Sequence, residues 1–340
     1  MGVRIFFVAM LLGVCGWFLR EIFIAEPKGN STASEINFSV LPGESVSSLA
    51  ARLEEEQVVR SKALFKRYAQ ARNIDKNIQS GTYTIVRPFT LSRVIHALSH
   101  PESREERTIT IIPGWDLRDI ADYFESEDIA SSTEVYRLVG EPARLMAPTI
   151  NDLPHVFSGK PENVSLEGYL SPNTYRIYTD ATTEDIMQKF VLARANEWSA
   201  EMFGRLAESG RTMHEVLTIA SIVEREVRSD ADRAKVADIF WRRFDAGWGL
   251  QADSTVHYAV GKKGDVFTTK EDRARENLWN TYKFAGLPPG PISNPGLPSI
   301  MATLYPEKNS FWYFLTTVDG EVKYAKTIEE HGRNVAKYLR

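Results

Sequence analysis

Thiol chemistry is nearly absent from this chain, whose 340 residues include one cysteine, Cys15. No intrachain disulfide is possible, and zinc sites built from several thiolates are excluded. Histidines are also few, six in all. His96 and His100 share an i,i+4 spacing but lack the glutamate of H-E-x-x-H, so no metal site is read from them. There is no G-x-S-x-G, no Walker loop and no G-x-G-x-x-G. Serine hydrolase, NTPase and dinucleotide readings therefore lack a motif, and no cofactor is implied. Neither sign of charge dominates, since 41 Lys and Arg against 45 Asp and Glu leave a net charge of −4. That balance gives no reason to expect a nucleic-acid partner. With 43% hydrophobic and 25% charged residues the composition is globular, which argues against a disordered or collagen-like chain. The length favours two or three domains, each able to bury a core.

What is present begins with one apolar run. Ile5 to Leu19 carries no charge, and Arg20 and Glu21 interrupt it before Ile22, Phe23 and Ile24 extend it. Fifteen residues are short of the about 20 that span a bilayer, but a snorkelling Arg20 makes up the length. Residues 23 to 30 (FIAEPKGN) contain no A-x-A-like cleavage site, so an uncleaved signal anchor over 1–25 is preferred to a signal peptide. A tiny N-terminal tail before a large polar body implies a single pass, with the body on the outer side of the cytoplasmic membrane. Cys15 then reads as a lipid-facing side chain. Residues 26–35 have linker composition.

From residue 36 a small unit follows: strand Ile36 to Leu41, helices from Val46 and over 61–72, strand Thr82 to Val86, and a helix over Ser92 to Ser99. Its opening recurs 71 residues later, where Leu41-Pro42-Gly43 is matched by Ile112-Pro113-Gly114. Val46, Leu49, Ala50 and Leu53 are matched by Leu117, Ile120, Ala121 and Phe124. Two copies do not make a solenoid. They describe a strand, a Pro-Gly turn and an amphipathic helix folding back. Beyond about residue 106 the chain reads as α+β. Helices are predicted at 116–125, 132–139, 182–210, 213–228 and 231–245. A hairpin with Asp319-Gly320 at its turn and a last helix from Ile328 complete it.

The segment Val216 to Arg228 carries the sharpest pattern. Val216, Ile219, Ala220, Val223 and Val227 share one helix face, which predicts a largely buried helix. Glu224 and Glu226 flank that face on opposite edges, Glu224 beside Leu217, Ala220 and Ser221, and Glu226 beside Ile222 and Asp230. Apolar shelter from Leu217 and Ala220 raises a carboxyl pKa, as a general acid requires, unless Arg228 turns inward against it. On pattern alone, a surface glutamate at the rim of a core helix is the plainer reading. Gly286 to Gly296 (GLPPGPISNPG) cannot enter a helix interior or a central strand. It is either a stiff connector or the wall of a cleft. Three polar clusters lie close to aromatics: Glu167 with Asn173 and Tyr175, Gln251 with Asp253 and Thr255, and Asn280 with Thr281 and Tyr282. Aromatic faces with amide and carboxylate groups suit a sugar, though they suit any polar loop as well.

In combination these segments resemble the YceG-like endolytic murein transglycosylases. The resemblance rests on EGYLSPNTY (167–175), TIASIVEREV (218–227), LQADSTVHYA (250–259), NTYKFAGLPPGPISNPG (280–296) and the terminal strand pair with EEH at 329–331. It covers about residues 36 to 340. It implies a LysM-like α/β module at 36–105 that contacts glycan, and a larger mixed α+β catalytic domain at 106–340. The first acid of the family's S-I-[IV]-E-x-E motif is its catalytic glutamate, which falls on Glu224. Ser221, Gln251, Asp253, Thr255, Asn280 and Tyr282 are implied to orient the glycan, with Glu226 behind Glu224 as the alternative acid. Peptidoglycan strands are the implied substrate, and peptidoglycan synthases are partners implied by family alone. Several positions depart from the pattern, Ser171 for a phenylalanine and Gly332 for an asparagine among them. Asn173 replaces an aspartate and so has no acid–base role, Ser254 replaces a proline, and Val322 stands where a histidine is common.

The implied chemistry needs one carboxyl group. It protonates the glycosidic oxygen between N-acetylmuramic acid and N-acetylglucosamine, then takes the proton from the muramic C6 hydroxyl as a 1,6-anhydro ring closes. Two other readings stay open at this point. One is a hydrolytic muramidase in which Asp253 activates water. The other is a non-enzymatic wall-binding scaffold.

Overall fold

Leu41 and Glu44, and Ile112 and Trp115, are joined by the same backbone hydrogen bond. Glu44 N donates to Leu41 O at 3.1 Å and Trp115 N to Ile112 O at 3.2 Å. Gly43 and Gly114 take φ of +72° and +86°, the conformation a type II turn needs at its third residue. The computed structural model describes residues 20–22, 35–41, 43–72, 74, 78–86, 89–99, 106–150, 153–262 and 268–339. The apolar run Ile5 to Leu19 and His100 lie outside them. Among the described residues no helix is long and apolar enough to cross a membrane. The chain divides into two units between Glu106 and Arg107.

The first unit holds β1 (Glu35–Val40), α1 (Val46–Glu55), α2 (Lys62–Ala71), β2 (Gly81–Val86) and α3 (Leu91–Ser99). β1 and β2 pair antiparallel, with Phe38 opposite Tyr83. Alternation along β1 sends Phe38 and Val40 inward, onto Leu49 and Leu53 of α1, Phe65 of α2 and Val94 of α3. Ser45 and Ser61 cap α1 and α2 by accepting from Ser48 N and Leu64 N. Glu21 accepts from Arg60 at 2.9 Å, and Ile22 packs on the same core.

The second unit is mixed α+β. Its elements are β3 (Glu106–Thr110), α4 (Leu117–Ser126), α5 (Ser132–Val139), β4 (Thr174–Tyr178), α6 (Thr183–Asn196), α7 (Ala200–Ser209), α8 (Met213–Glu226) and α9 (Asp230–Asp245). There follow α10 (Asp253–Val260), α11 (Lys270–Arg273), α12 (Leu297–Leu304), β5 (Tyr313–Thr316), β6 (Val322–Ala325) and α13 (Ile328–Tyr338). α8 is the central rod. Every residue from Val216 to Val223 is buried, and α9, α10 and α12 pack around it. The periodicity of 213–228 anticipated one apolar face, but the helix is enclosed nearly all round.

The continuous helix expected over 182–210 is two helices. Ser199 Oγ accepts from Met202 N at 3.2 Å and starts α7 afresh, while Trp198 turns into the core. A serine able to cap competes with helix continuation, which periodicity does not register. α10 and α12 went unpredicted. α12 starts at the end of the Pro/Gly loop, with Pro298 in its first turn, where a missing N–H costs nothing. The terminal hairpin forms as expected, with Tyr313 opposite Ala325 and Gly320 at φ +83° in the turn.

Candidate active site

The catalytic candidate sits near the C-terminal end of the central helix. α8 begins with a capping box in which Thr212 and Glu215 satisfy each other's amides. Three turns later Glu224 leaves the buried face, with its side chain 8% exposed. Its Oε1 accepts from Arg233 Nη2 at 3.1 Å and its Oε2 from Gly296 N at 2.9 Å. Gly296 is the N-cap of α12, so a helix N-terminus points at the carboxylate. The Pro113-Gly114 turn closes the other side, because a Cβ on Gly114 would lie 3.6 Å from Glu224 Cγ. Each carboxylate oxygen keeps further acceptor capacity for a substrate hydroxyl or ether.

The apolar shelter expected for Glu224 is not what meets its carboxyl group. Leu217 and Ala220 are fully enclosed in the core, and both carboxyl oxygens face donors. Nor does Arg228 supply the cation, since it is exposed. Arg233, one turn into α9, does so while also pairing with Asp230 at 2.5 Å. Two residues along, burial pushes the carboxyl of Glu226 up, opposed by the hydrogen bonds of Ser254.

The Pro/Gly loop is locked in place, and Ser221 is one bolt. Buried completely, it donates to Thr218 O at 2.7 Å and accepts from Ile292 N at 3.0 Å. Ser293 Oγ returns a bond to Ser221 O at 3.1 Å. Asn294 is the second bolt. Its Oδ1 takes the amides of Gly168 and Leu170, and its Nδ2 reaches Trp115 O and Glu167 Oε1. Ser221→Ala strands the buried Ile292 amide and should cost about 1–3 kcal/mol, read as a lowered guanidinium midpoint with an unchanged m-value.

Glu167 lies inside the protein, 1% exposed. It accepts from Leu117 N at 3.0 Å as well as from Asn294, so its place is the frame and not the surface a glycan would touch. Burial, reinforced by Asp116, pushes its carboxyl well above the usual range. A folded-state value raised this way means that the native protein holds more protons than the unfolded chain. This group's stabilisation is therefore full below the ordinary carboxyl range and is lost as pH rises through the raised value. Denaturant melts at pH 5 and pH 8 should show wild type losing more stability over that interval than Glu167→Gln, which has no such titration.

The remaining sugar-orienting candidates form a second connected network. Ser254 donates to Glu226 Oε1 from Oγ at 2.7 Å. Asp253 accepts from Tyr282 OH at 2.7 Å and from Arg273 at 3.3 Å. Burial, with Asp253 alongside, pushes the Tyr282 phenol up. Thr255 and Thr281 share a 2.8 Å bond between their hydroxyls, Gln251 N donates to Thr281 O, and Asn280 Nδ2 holds the carbonyls of Arg273 and Arg275. Of these, Gln251 is exposed, whereas Thr255, Asn280 and Thr281 are enclosed. Asn173 is exposed, with Oδ1 on Thr174 N. Tyr175 is buried against Phe190, its OH on Ser171 O.

Sequence reasoning missed Arg233, Gly296, Asn294 and Arg194, a fully buried arginine that holds Leu170 O and Pro295 O. Asn294 and Gly296 lie in the quoted 280–296 run, which gave neither a partner, and nothing pointed to Arg233 or Arg194.

Comparison with known proteins adds the relationship. The model of the YceG-like family matches residues 38–337. A Bacillus subtilis protein named endolytic murein transglycosylase is 32% identical over 337 residues, covering 95% of this chain and 90% of that one. A protein of the same name from Streptococcus pneumoniae is 28% identical, covering 97% of this chain and 63% of its own. The crystal structure of a putative YceG-like protein from Listeria monocytogenes superposes with a TM-score of 0.57 at 30% identity, over 88% of this chain and 99% of that one.

Proposed function

Because the chain belongs to the YceG-like family, we infer that it is a lytic transglycosylase that cleaves peptidoglycan, with Glu224 as the proton-transferring group. One observation carries the assignment of the residue. Glu224 alone of the acids in the motif is held between an arginine and a helix N-terminal amide, with the Gly114 turn against its side chain. The carboxyl group donates its proton to the glycosidic oxygen of the N-acetylmuramic acid–N-acetylglucosamine bond. Arg233 and Gly296 N then stabilise the carboxylate that remains. That carboxylate takes the proton of the muramic C6 hydroxyl, and the 1,6-anhydro ring closes without water.

Asp253 bears on the hydrolytic alternative. Both its oxygens already face Arg273 and one takes the Tyr282 hydroxyl, which leaves it poorly placed to activate water. The reading extends to placement. The uncharged run Ile5 to Leu19 with no cleavage site supports a signal anchor that holds the cutting domain on the outer side of the membrane, where nascent strands emerge and synthases work. The β1–α1–α2–β2 unit, as a LysM-like module, would feed glycan to it. Mass spectrometry of products from purified glycan strands tests the reaction. New chain ends in the 1,6-anhydro form are expected, reducing ends would support the muramidase, and binding without any cleavage would support the scaffold.

A further inference from the structure

The peptide unit between Pro295 and Gly296 has a buried cation at one end and the proposed catalytic carboxylate at the other. Arg194, on α6, is 0% exposed. Its Nη1 meets Glu197 Oε2 at 2.6 Å. Its Nη2 donates to Leu170 O at 3.1 Å and to Pro295 O at 2.6 Å. The carbonyl of Pro295 and the N–H of Gly296 belong to one planar, resonance-coupled amide. That N–H donates to Glu224 Oε2 at 2.9 Å. A continuous chain therefore runs from guanidinium N–H to carbonyl, through the amide, to N–H and carboxylate.

We propose that Arg194 is a positioning residue for the transglycosylase reaction, acting on Glu224 through the Pro295–Gly296 peptide. A charge-assisted bond on the carbonyl pulls electron density from the amide nitrogen and makes its N–H a stronger donor. Hydrogen bonds in series strengthen one another by about 10–30% each in condensed phases. The polarised amide is aimed at the oxygen where negative charge appears once Glu224 has given up its proton. Burial costs a guanidinium its hydration, and Glu197 balances the charge through Nη1. That leaves Nη2 to hold the Leu170 and Pro295 carbonyls, the second of which belongs to the peptide that ends on the anion.

The groups facing Glu224 are few. Arg233 comes from α9 with Asp230 behind it, Gly296 N from the start of α12, and Arg194 from α6 through the peptide with Glu197 behind it. Burial lowers the pKa of Arg194, and the charge and hydrogen bond of Glu197 oppose that shift. Direct removal of Arg233 and indirect removal of Arg194 should thus weaken the same carboxylate by separate routes.

The proposal rests on Glu224 as the catalytic group, so its test needs a readout that does not depend on turnover. Full-length protein labelled with carbonyl-carbon-13 proline and nitrogen-15 glycine gives coupled amide signals only from Pro-Gly pairs. There are four, at Pro42-Gly43, Pro113-Gly114, Pro289-Gly290 and Pro295-Gly296. The signal that disappears in Pro295→Ala is that of Gly296. Its amide proton is expected to move upfield in Arg194→Met and by a smaller amount in Arg194→Lys, which keeps a charge but not the planar fork. On glycan strands, Arg194→Met should lose about tenfold in kcat with KM within about twofold, below the loss typical of deleting a direct oxyanion donor. Arg194→Lys should recover part of it. If Arg194→Met does not fold, Arg194→Lys decides, by its own upfield shift and smaller loss of kcat. An unmoved Gly296 signal in a folded variant overturns the proposal, as does a loss confined to KM. If Glu224→Gln still cuts while the Gly296 signal moves in the arginine variants, the catalytic assignment fails and the relay stands as a structural contact only.

Discussion

Glu224→Gln should abolish strand cleavage while leaving the fold intact. Glutamine is nearly isosteric and can still accept from Gly296 N or Arg233 through its one carbonyl oxygen. What it cannot do is release and retake a proton. Loss of a positioned acid–base group costs about 10²–10⁴ in rate, and here one group serves both steps. The larger end of that range is therefore expected for kcat. Binding of glycan strands should persist, because the network from Ser254 to Tyr282 is untouched. A melting curve matching wild type would show that chemistry alone was removed. Retained cleavage would move the assignment to Glu226, two residues along the same helix and bonded to Ser254.

The largest effect on stability is expected at Gly168, a residue with no part in the chemistry. Its φ is +83°, where an L side chain costs about 1–2 kcal/mol. A Cβ there would also lie 2.5 Å from both Cβ and Cγ of Pro291, in a rigid ring that cannot turn away. Overpacking of that kind adds about 1–3 kcal/mol. Gly168→Ala should thus remove about 3 kcal/mol of a total near 5–15 kcal/mol. It should lower Tm by roughly 5–10 °C. Activity should fall with it, because the loop that Gly168 accommodates carries Asn294 and Gly296. Gly159→Ala is the matched control. A Cβ there would meet nothing within 4 Å, and no measurable change is expected. Scanning calorimetry of the two variants together separates a local clash from a general intolerance of alanine.

How much of this was legible beforehand differs from residue to residue. α8 was plain, because apolar residues at helical spacing over Val216 to Val227 leave little else to form. The Pro-Gly turns and the terminal hairpin were plain for the same local reasons. Glu224 was not legible from pattern, since Glu226 sits at an equivalent edge of the same face. The motif resemblance separated the two, and the geometry then supplied a physical difference in Arg233 and Gly296 N. Their pairing with Glu224 was invisible in the sequence. Arg233 reads as an ordinary surface charge nine residues away, and Gly296 is 72 residues distant with no side chain to mark it. The neighbours of the Glu224 carboxyl group differ from those expected for a related reason. Helix periodicity describes what lies along a helix, and the carboxyl group of Glu224 is met by what crosses it. Arg194 shows the same blindness. It falls within a segment read only as one helix, where arginine suggests solvent, yet it is completely enclosed.

Some site residues changed meaning once placed. Glu167, Asn280, Thr255 and Thr281 looked like sugar contacts in sequence because polar side chains near aromatics suit a glycan. In the fold they are enclosed and bonded to the protein's own backbone or to each other. They shape the surface without forming it. Gln251 and Asp253 retain exposure, so they stay the better candidates for direct contact.

The central claim is that Glu224 moves a proton out and back and that water never enters the bond. Heavy-oxygen water tests it most directly. Purified glycan strands are cut to completion by the wild-type protein in labelled water, and the new ends are weighed by mass spectrometry. The account predicts 1,6-anhydro ends carrying no label, and no new ends with Glu224→Gln. Labelled reducing ends released by the wild type, or unlabelled anhydro ends still formed by Glu224→Gln, would contradict it.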